Sequence, residues 1–334
     1  MWVPHAPLTP LAPQPVAPTA LTADAWRARE AAHIERANRL TAGHRARRQT
    51  GEKHPIEDFL FTYYNLKPAQ LRRWHPGAGV VLEGVQGDEA RREWRDYVVA
   101  PEPAADHREP TPAAPHARAA SPRSEATSLT VDAAAFLARR GATVDYVDDL
   151  MRRTMERPPS FGCFGLHEWA MVYRLSPEEI RHRGLPLRLD PAATDFVVET
   201  NPIACTHYDA YRFFTPPAAP LNTITPTRET QPELEQAGCL HAGMDVYKWA
   251  MKLGPLVPGE LLLDAFELAM QIRVVDMQAS PYDVSSFGLP AVAIETPEGK
   301  SEYARLQRGF MQRGNALRER VLAAIHRARV FAEH

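Results

Sequence analysis

Between residues 261 and 272, the apolar positions Leu261, Leu262, Ala265, Phe266, Leu268, Ala269 and Ile272 recur at threes and fours. That is the period of a helix with one wide buried face. The same reading predicts helices over residues 131–140, 144–156, 165–174, 191–199, 244–253, 260–276 and 300–331. Upstream, residues 24–49 read as one polar helix, with Asp24 near its start and Arg45, Arg47 and Arg48 at the end where the helix dipole favours cations. Residues 54–65 and 68–74 read as brief helices. Residues 79–83 and 97–99 read as two strands around a charged helix. No repeat of solenoid period is present.

Two stretches interrupt this pattern. Residues 1–22 carry six prolines, and residues 101–128 carry six more with no Leu, Ile, Val, Met or aromatic residue. Neither can offset the entropy of ordering, which predicts a disordered tail (1–22) and a disordered Pro/Ala-rich linker (101–128). The expected fold is therefore mainly α: a small α+β N-terminal module (23–100) and a helical main domain (129–334) that carries the site. With 44% hydrophobic residues in 334, a real core is available. Lys plus Arg number 39 against 41 Asp plus Glu, so no global field gathers nucleic acid or anionic membrane. No apolar run is long enough to span a bilayer, and the expected location is cytoplasmic.

Three cysteines cannot all pair within one chain, which leaves thiol or metal chemistry open. Each has a histidine close behind it: Cys163 and His167, Cys205 and His207, Cys239 and His241. With 13 histidines in the chain, three such coincidences have a chance below about 1%. Thiolate plus imidazole is a set that zinc prefers and iron accepts, so these six residues are the candidate metal ligands. The spacing is not that of a standard zinc finger, and buried thiols and satisfied core histidines offer a plainer account. A Cys–His nucleophile and base, with Asp209 or Asp245 orienting the ring, is a further possibility. No motif for a nucleotide cofactor is present.

Other positions carry weaker signals. The aromatics Phe59, Phe61, Tyr63 and Tyr64, with Arg72, Arg73 and Trp74 beyond, suit either base stacking or, more simply, docking of the small module onto the large one. Asp276 and Asp283 frame a polar turn after an apolar helix, where a carboxylate can serve as acid, base or ligand; Arg273, one turn earlier, can equally pair with Asp276. Glu168 and Trp169, and Tyr247 and Trp249, flank the Cys/His positions. Glu30 and His33 have di-iron spacing without a second copy, which reads as solvated surface.

The segment 161–174 (FGCFGLHEWAMVYR), together with Gly238-Cys239-Leu240-His241 and Ala279-Ser280-Pro281-Tyr282-Asp283, resembles an actinobacterial family whose members carry the label 3-methyladenine DNA glycosylase. The similarity extends over residues 54–77 and most of 161–313. It implies DNA as a partner and hydrolysis of the N-glycosidic bond of an alkylated purine, extruded from the duplex. On that reading Trp169, Tyr247 and Trp249 stack the base, Arg273 contacts substrate, and Asp276, Asp283 or Glu168 supplies the carboxylate that stabilises the sugar cation. The Gly254–Gly259 turn lacks the Pro-Gly-x-Gly core of helix-hairpin-helix glycosylases, and reads as a plain turn with Pro258 opening the next helix. Two other classes fit the residues: a metal-dependent enzyme acting on a small molecule through the Cys/His site, and a non-catalytic, metal-stabilised interaction protein.

Overall fold

In a computed structural model, which describes residues 17–101, 126–176, 178–180 and 184–333, the chain is mainly helical with one small mixed sheet. In chain order the elements are β1 (Thr19–Leu21), α1 (Ala23–Leu40), α2 (Ala42–Thr50), α3 (Phe59–Tyr63), α4 (Pro68–Leu71), β2 (Val80–Val85), β3 (Tyr97–Val99), β4 (Thr127–Val131), α5 (Ala133–Glu156), α6 (Leu166–Ala170), α7 (Pro191–Thr200), α8 (Tyr208–Tyr211), α9 (Gln231–Leu234), α10 (Leu240–Leu253), α11 (Gly259–Ala279) and α12 (Pro297–Ala332). Among the described residues, no helix is long and apolar enough to cross a membrane.

Local chemistry sets the helix starts. Asp132 Oδ1 accepts from Ala135 N at 2.8 Å, and Asp190 Oδ1 accepts from Ala193 N at 2.8 Å. Thr296 Oγ1 accepts from Gly299 N at 3.0 Å, each bond satisfying an amide that the first turn leaves free. Pro191 and Pro297 occupy first-turn positions, where a missing N–H costs nothing.

Several expected boundaries move. The polar helix over 24–49 divides at Thr41, whose hydroxyl donates to the Ala37 carbonyl at 2.8 Å while its backbone leaves the helical region. Conversely, α5 runs unbroken through Gly141. A mid-helix glycine costs only about 1 kcal/mol, and the buried Val144, Val147, Leu150 and Met151 outweigh it. The expected helix over 165–174 shrinks to the five residues of α6.

The sheet has the order β1-β2-β4-β3, with β1 parallel to β2 and the other pairs antiparallel. Two sequence expectations are corrected here. Thr19–Leu21, placed in the tail by its prolines, forms an edge strand against Val80–Leu82. Thr127 and Ser128, placed in the linker, begin β4, which pairs with both β2 and β3 and so draws the sheet from both expected modules. Residues 1–16 and 102–125 lie outside the described residues.

The core likewise crosses the expected division, with one continuous apolar cluster running from Trp26 through Leu82 to Ala328. Its axis is α11, which packs on α10, α12 and α1 and buries Leu261, Leu262, Leu263, Phe266, Leu268, Ile272 and Val275. A helix apolar on more than one face belongs in the interior. Its last two turns, carrying Arg273 and Asp276, are thereby placed inside the protein.

Candidate metal centre

A tight reversal places the first two site residues. Phe164 and Gly165 are consecutive left-handed residues (φ 46° and 76°), and Leu166 N bonds back to the Cys163 carbonyl at 2.8 Å. Glycine takes that conformation freely and phenylalanine does so under strain, a combination that concentrates at functional sites. The turn aims His167 and Glu168 of α6 at the last turn of α11, and the first turn of α10 brings His241 to the same point. His167, Glu168, His241 and Asp276, all buried, each offer one donor atom, and these atoms lie within 4.8 Å of one another.

The four are strongly coupled. His167 Nε2 lies 2.9 Å from Asp276 Oδ1, while Arg273 donates to Asp276 Oδ2 at 2.8 Å and to Glu168 Oε1 at 3.1 Å. The His167 and His241 rings meet edge to face, with centroids 4.5 Å apart. Burial opposes charge on His167, but the Asp276 carboxylate outweighs it and holds the imidazole protonated well above its ordinary range. Burial likewise opposes charge on Asp276, and His167 overrides it to pull the carboxyl far below the usual carboxylate range. Burial pushes Glu168 up, aided by the Asp276 charge. Burial and the charge on His167 drive His241 well below the histidine range, leaving the neutral form that binds metals. Its buried Nδ1 has no hydrogen-bonding partner.

A second group adjoins the first. His207, Glu235 and Asp245, all buried, also bring their donor atoms within 4.8 Å of one another. The His207 ring stacks on His241 with centroids 5.3 Å apart. The three histidines predicted from the Cys/His spacing therefore do converge.

The thiols lie close by but outside both groups among the described residues, where the other donors are carboxylates. Besides burial, Cys163 and Cys239 both push up the Cys205 thiol, and Cys163 that of Cys239. Cys163 lies outside α6, with Sγ 3.6 Å from His167 Nδ1, the nitrogen facing away from Asp276. Burial would raise its pKa, but the contact with His167 wins and lowers it. Cys205 is buried with its thiol 3.7 Å from the His207 carbonyl, and burial pushes it well up. Cys239 precedes α10 at the N-cap, and burial raises it too. Asp276 orients His167, and of the two aspartates expected to orient an imidazole only Asp245 reaches one. Asp245 lies beside His207, and Asp209 pairs with Lys248 and Arg212.

The first group opens on a cavity of about 280 Å³ lined by Phe59, Thr62, Tyr63, Glu168, Met171, Asp209, Phe213, His241, Arg273 and Tyr282. Arg273, predicted both to contact substrate and to pair with Asp276, does pair with it and also forms part of this wall. The expected stacking residues lie elsewhere. Trp169 and Tyr247 have no exposed surface, and Trp169 Nε1 is bonded to the Ala279 carbonyl at 2.9 Å. Trp249 packs beneath Lys248 and Lys252 in a separate groove. Asp283 is also apart, accepting from Ser285 N at 2.8 Å in a local turn. His33 is buried against the Leu71 carbonyl rather than solvated, and Glu30 pairs with Arg91.

Sequence reasoning missed Glu235, which nothing distinguishes among 41 acidic residues. It also underused Phe59 and Tyr63, whose aromatic run both docks and lines the cavity. Phe61 packs on Phe266 and Tyr64 on Tyr247, while Phe59 lies beneath the Arg273 guanidinium at 4.0 Å. No protein-family model matches the chain, nor does any curated protein or solved structure.

Proposed function

We propose that this chain is a metal-dependent enzyme acting on a small molecule, with His167, His241, Asp276 and Glu168 as the metal ligands. One observation carries the reading: Glu168 and His241 belong both to the four-donor group and to the wall of the aromatic-lined cavity. An ion held there would face a bound molecule directly. Two imidazoles and two carboxylates suit a first-row divalent ion such as zinc or iron(II). The unpartnered Nδ1 of His241 is a donor awaiting an acceptor of its lone pair or its proton. Such an ion supplies Lewis acidity or an activated water.

The chain's own residues do the rest. Phe59, Tyr63 and Tyr282 exclude water and accept a flat or apolar portion of the molecule, and Arg273 presents a cation from the wall. Cys163 holds the outer nitrogen of His167, which fixes the ring with Nε2 toward the cluster.

The N-glycosylase implied by the resemblance remains a second reading, supported by a carboxylate, Glu168, set among aromatic walls in the same cavity. The two separate cleanly. Protein purified without chelator is expected to retain a divalent ion by elemental analysis, and Asp276→Asn and His241→Gln to lose it while keeping their helical circular dichroism. Failure of the native protein to bind Zn²⁺, Fe²⁺, Mn²⁺ or Co²⁺ would overturn the metal reading. Release of methylated purines from duplex DNA, undiminished by EDTA, would establish the glycosylase instead.

A further inference from the structure

We infer that His207, Glu235 and Asp245 form a second divalent-cation site, so that the protein binds two ions on either side of the stacked His207 and His241 rings. The inference goes beyond the function proposed above and stands on separate residues, although α10 contributes to both groups. His207 precedes α8, Glu235 follows α9 and Asp245 lies on α10.

The first observation is an unsatisfied histidine. His207 is only 1% exposed, and neither ring nitrogen has a hydrogen-bonding partner. Buried polar groups are nearly always paired, so a ring with both nitrogens idle requires an explanation. Its Nε2 points between two carboxylates, 3.4 Å from Asp245 Oδ2 and 3.7 Å from Glu235 Oε2, too long for good hydrogen bonds. Donor atoms spread around a common centre at such distances are what a cation between them would need.

The second observation is charge. Glu235 is 2% exposed, accepts only the Gln231 side-chain amide at 2.7 Å, and has no Lys or Arg within ion-pair distance among the described residues. Asp245 is better served, taking Tyr64 Oη at 2.8 Å on one oxygen and Lys248 Nζ at 2.5 Å on the other. Lys248 is also shared with Asp209, 3.3 Å away. Asp209 has Arg212 as well, whereas Glu235 has no cation except the His207 ring within ion-pair distance among the described residues, and a buried anion so poorly countered is costly. A divalent ion bound by His207, Glu235 and Asp245 removes both deficits together.

The test is metal stoichiometry site by site. Full-length protein stripped with EDTA is dialysed to equilibrium against Co²⁺, and in parallel against Zn²⁺, and bound metal is counted per chain. Glu235→Gln keeps the volume and the Gln231 contact, and His207→Gln removes the idle ring; Asp276→Asn disables the other group. Two ions in the native protein, one in each single-site variant and none in Glu235→Gln/Asp276→Asn are expected. One native ion, lost in Asp276→Asn and kept in Glu235→Gln, would refute the second site and leave the proposed function intact. One native ion with the opposite behaviour would establish this site and refute the other. No bound metal would overturn both. Circular dichroism and the Co²⁺ absorption spectrum identify a variant that has lost its fold, in which case His207→Gln supplies the count. Loss of both ions from every folded single variant would show one merged site and refute two.

Discussion

Asp276→Asn in the metal-free protein tests the electrostatics of the site directly. The wild-type carboxylate has no exposed surface and takes two charge-assisted bonds, from His167 at 2.9 Å and Arg273 at 2.8 Å. Each such bond contributes roughly 1.5–3 kcal/mol net. Asparagine keeps one acceptor oxygen, and Glu168 continues to hold Arg273, so the expected loss is about 3 kcal/mol near neutral pH, at the lower end of the range for breaking a buried ion pair. The pH dependence has a definite sign. His167 binds its proton more tightly when folded; its contribution is complete below the ordinary histidine value of about 6.5 and is lost as pH rises through the elevated folded value. Asp276 is depressed, so its contribution is present above the ordinary carboxylate value of about 4 and lost only as pH falls through the folded one. The gap between wild type and variant is therefore widest from about pH 4 to 6.5 and narrows at alkaline pH. Urea unfolding with EDTA present, followed by far-ultraviolet circular dichroism at about pH 6 and about pH 9, measures both quantities. A gap below about 0.5 kcal/mol at the lower pH, or one that widens toward the higher, would refute the reasoning.

Cys163→Ser should lower affinity for Zn²⁺ by roughly 10–100-fold without abolishing it, because the thiol steadies His167 from outside the cluster; complete loss in equilibrium dialysis would mean that sulfur ligates after all. Trp169→Phe removes the bond to the Ala279 carbonyl and should cost about 1–3 kcal/mol in urea unfolding while leaving metal content unchanged; retained stability with lost metal would return this residue to the site. Gly299→Ala would place a Cβ 1.9 Å from the Ala293 carbonyl oxygen, against backbone that has little room to yield. A thermal melt should show a loss of at least about 1–3 kcal/mol, and an unchanged midpoint would show that the start of α12 repacks freely.

What the sequence makes legible follows from how local each signal is. The period of α11 is carried by its own residues, and its expected span over 260–276 differs from Gly259–Ala279 only at the ends. β1 was hidden because a three-residue strand behind a run of prolines has no pattern of its own; its pairing with Val80–Leu82 is supplied by residues some sixty positions away. The histidines were visible through their coincidence with cysteines, although among the described residues the atoms grouped with them are carboxylate oxygens. In the fold, α6 and α10 carry His167 and His241, with Glu168 next to the first and Asp276 facing it from α11; both carboxylates were candidates in the sequence for a sugar cation, and their grouping with the histidines depends on α11 burying its C-terminal turns. Phe59 and Tyr63 illustrate the same limit. A half-turn decides whether such a ring fills the core, as Phe61 does, or walls a cavity.

The constellation is also a poor way to stabilise a protein, which bears on why it exists. Replacing buried ionic groups with well-packed apolar residues is often neutral or stabilising, so a bundle built for stability alone gains little from this arrangement. Here three imidazoles in ring contact, four carboxylates and one guanidinium are gathered from α6, α10, α11 and the ends of α8 and α9 within an otherwise apolar core, and three of the ring nitrogens are left idle. The surrounding helices bear that cost through the apolar burial of α11, the element that carries Asp276 itself. An interior that gathers such costly residues beside a cavity, two of them on its most deeply buried helix, fits the metal chemistry proposed for them.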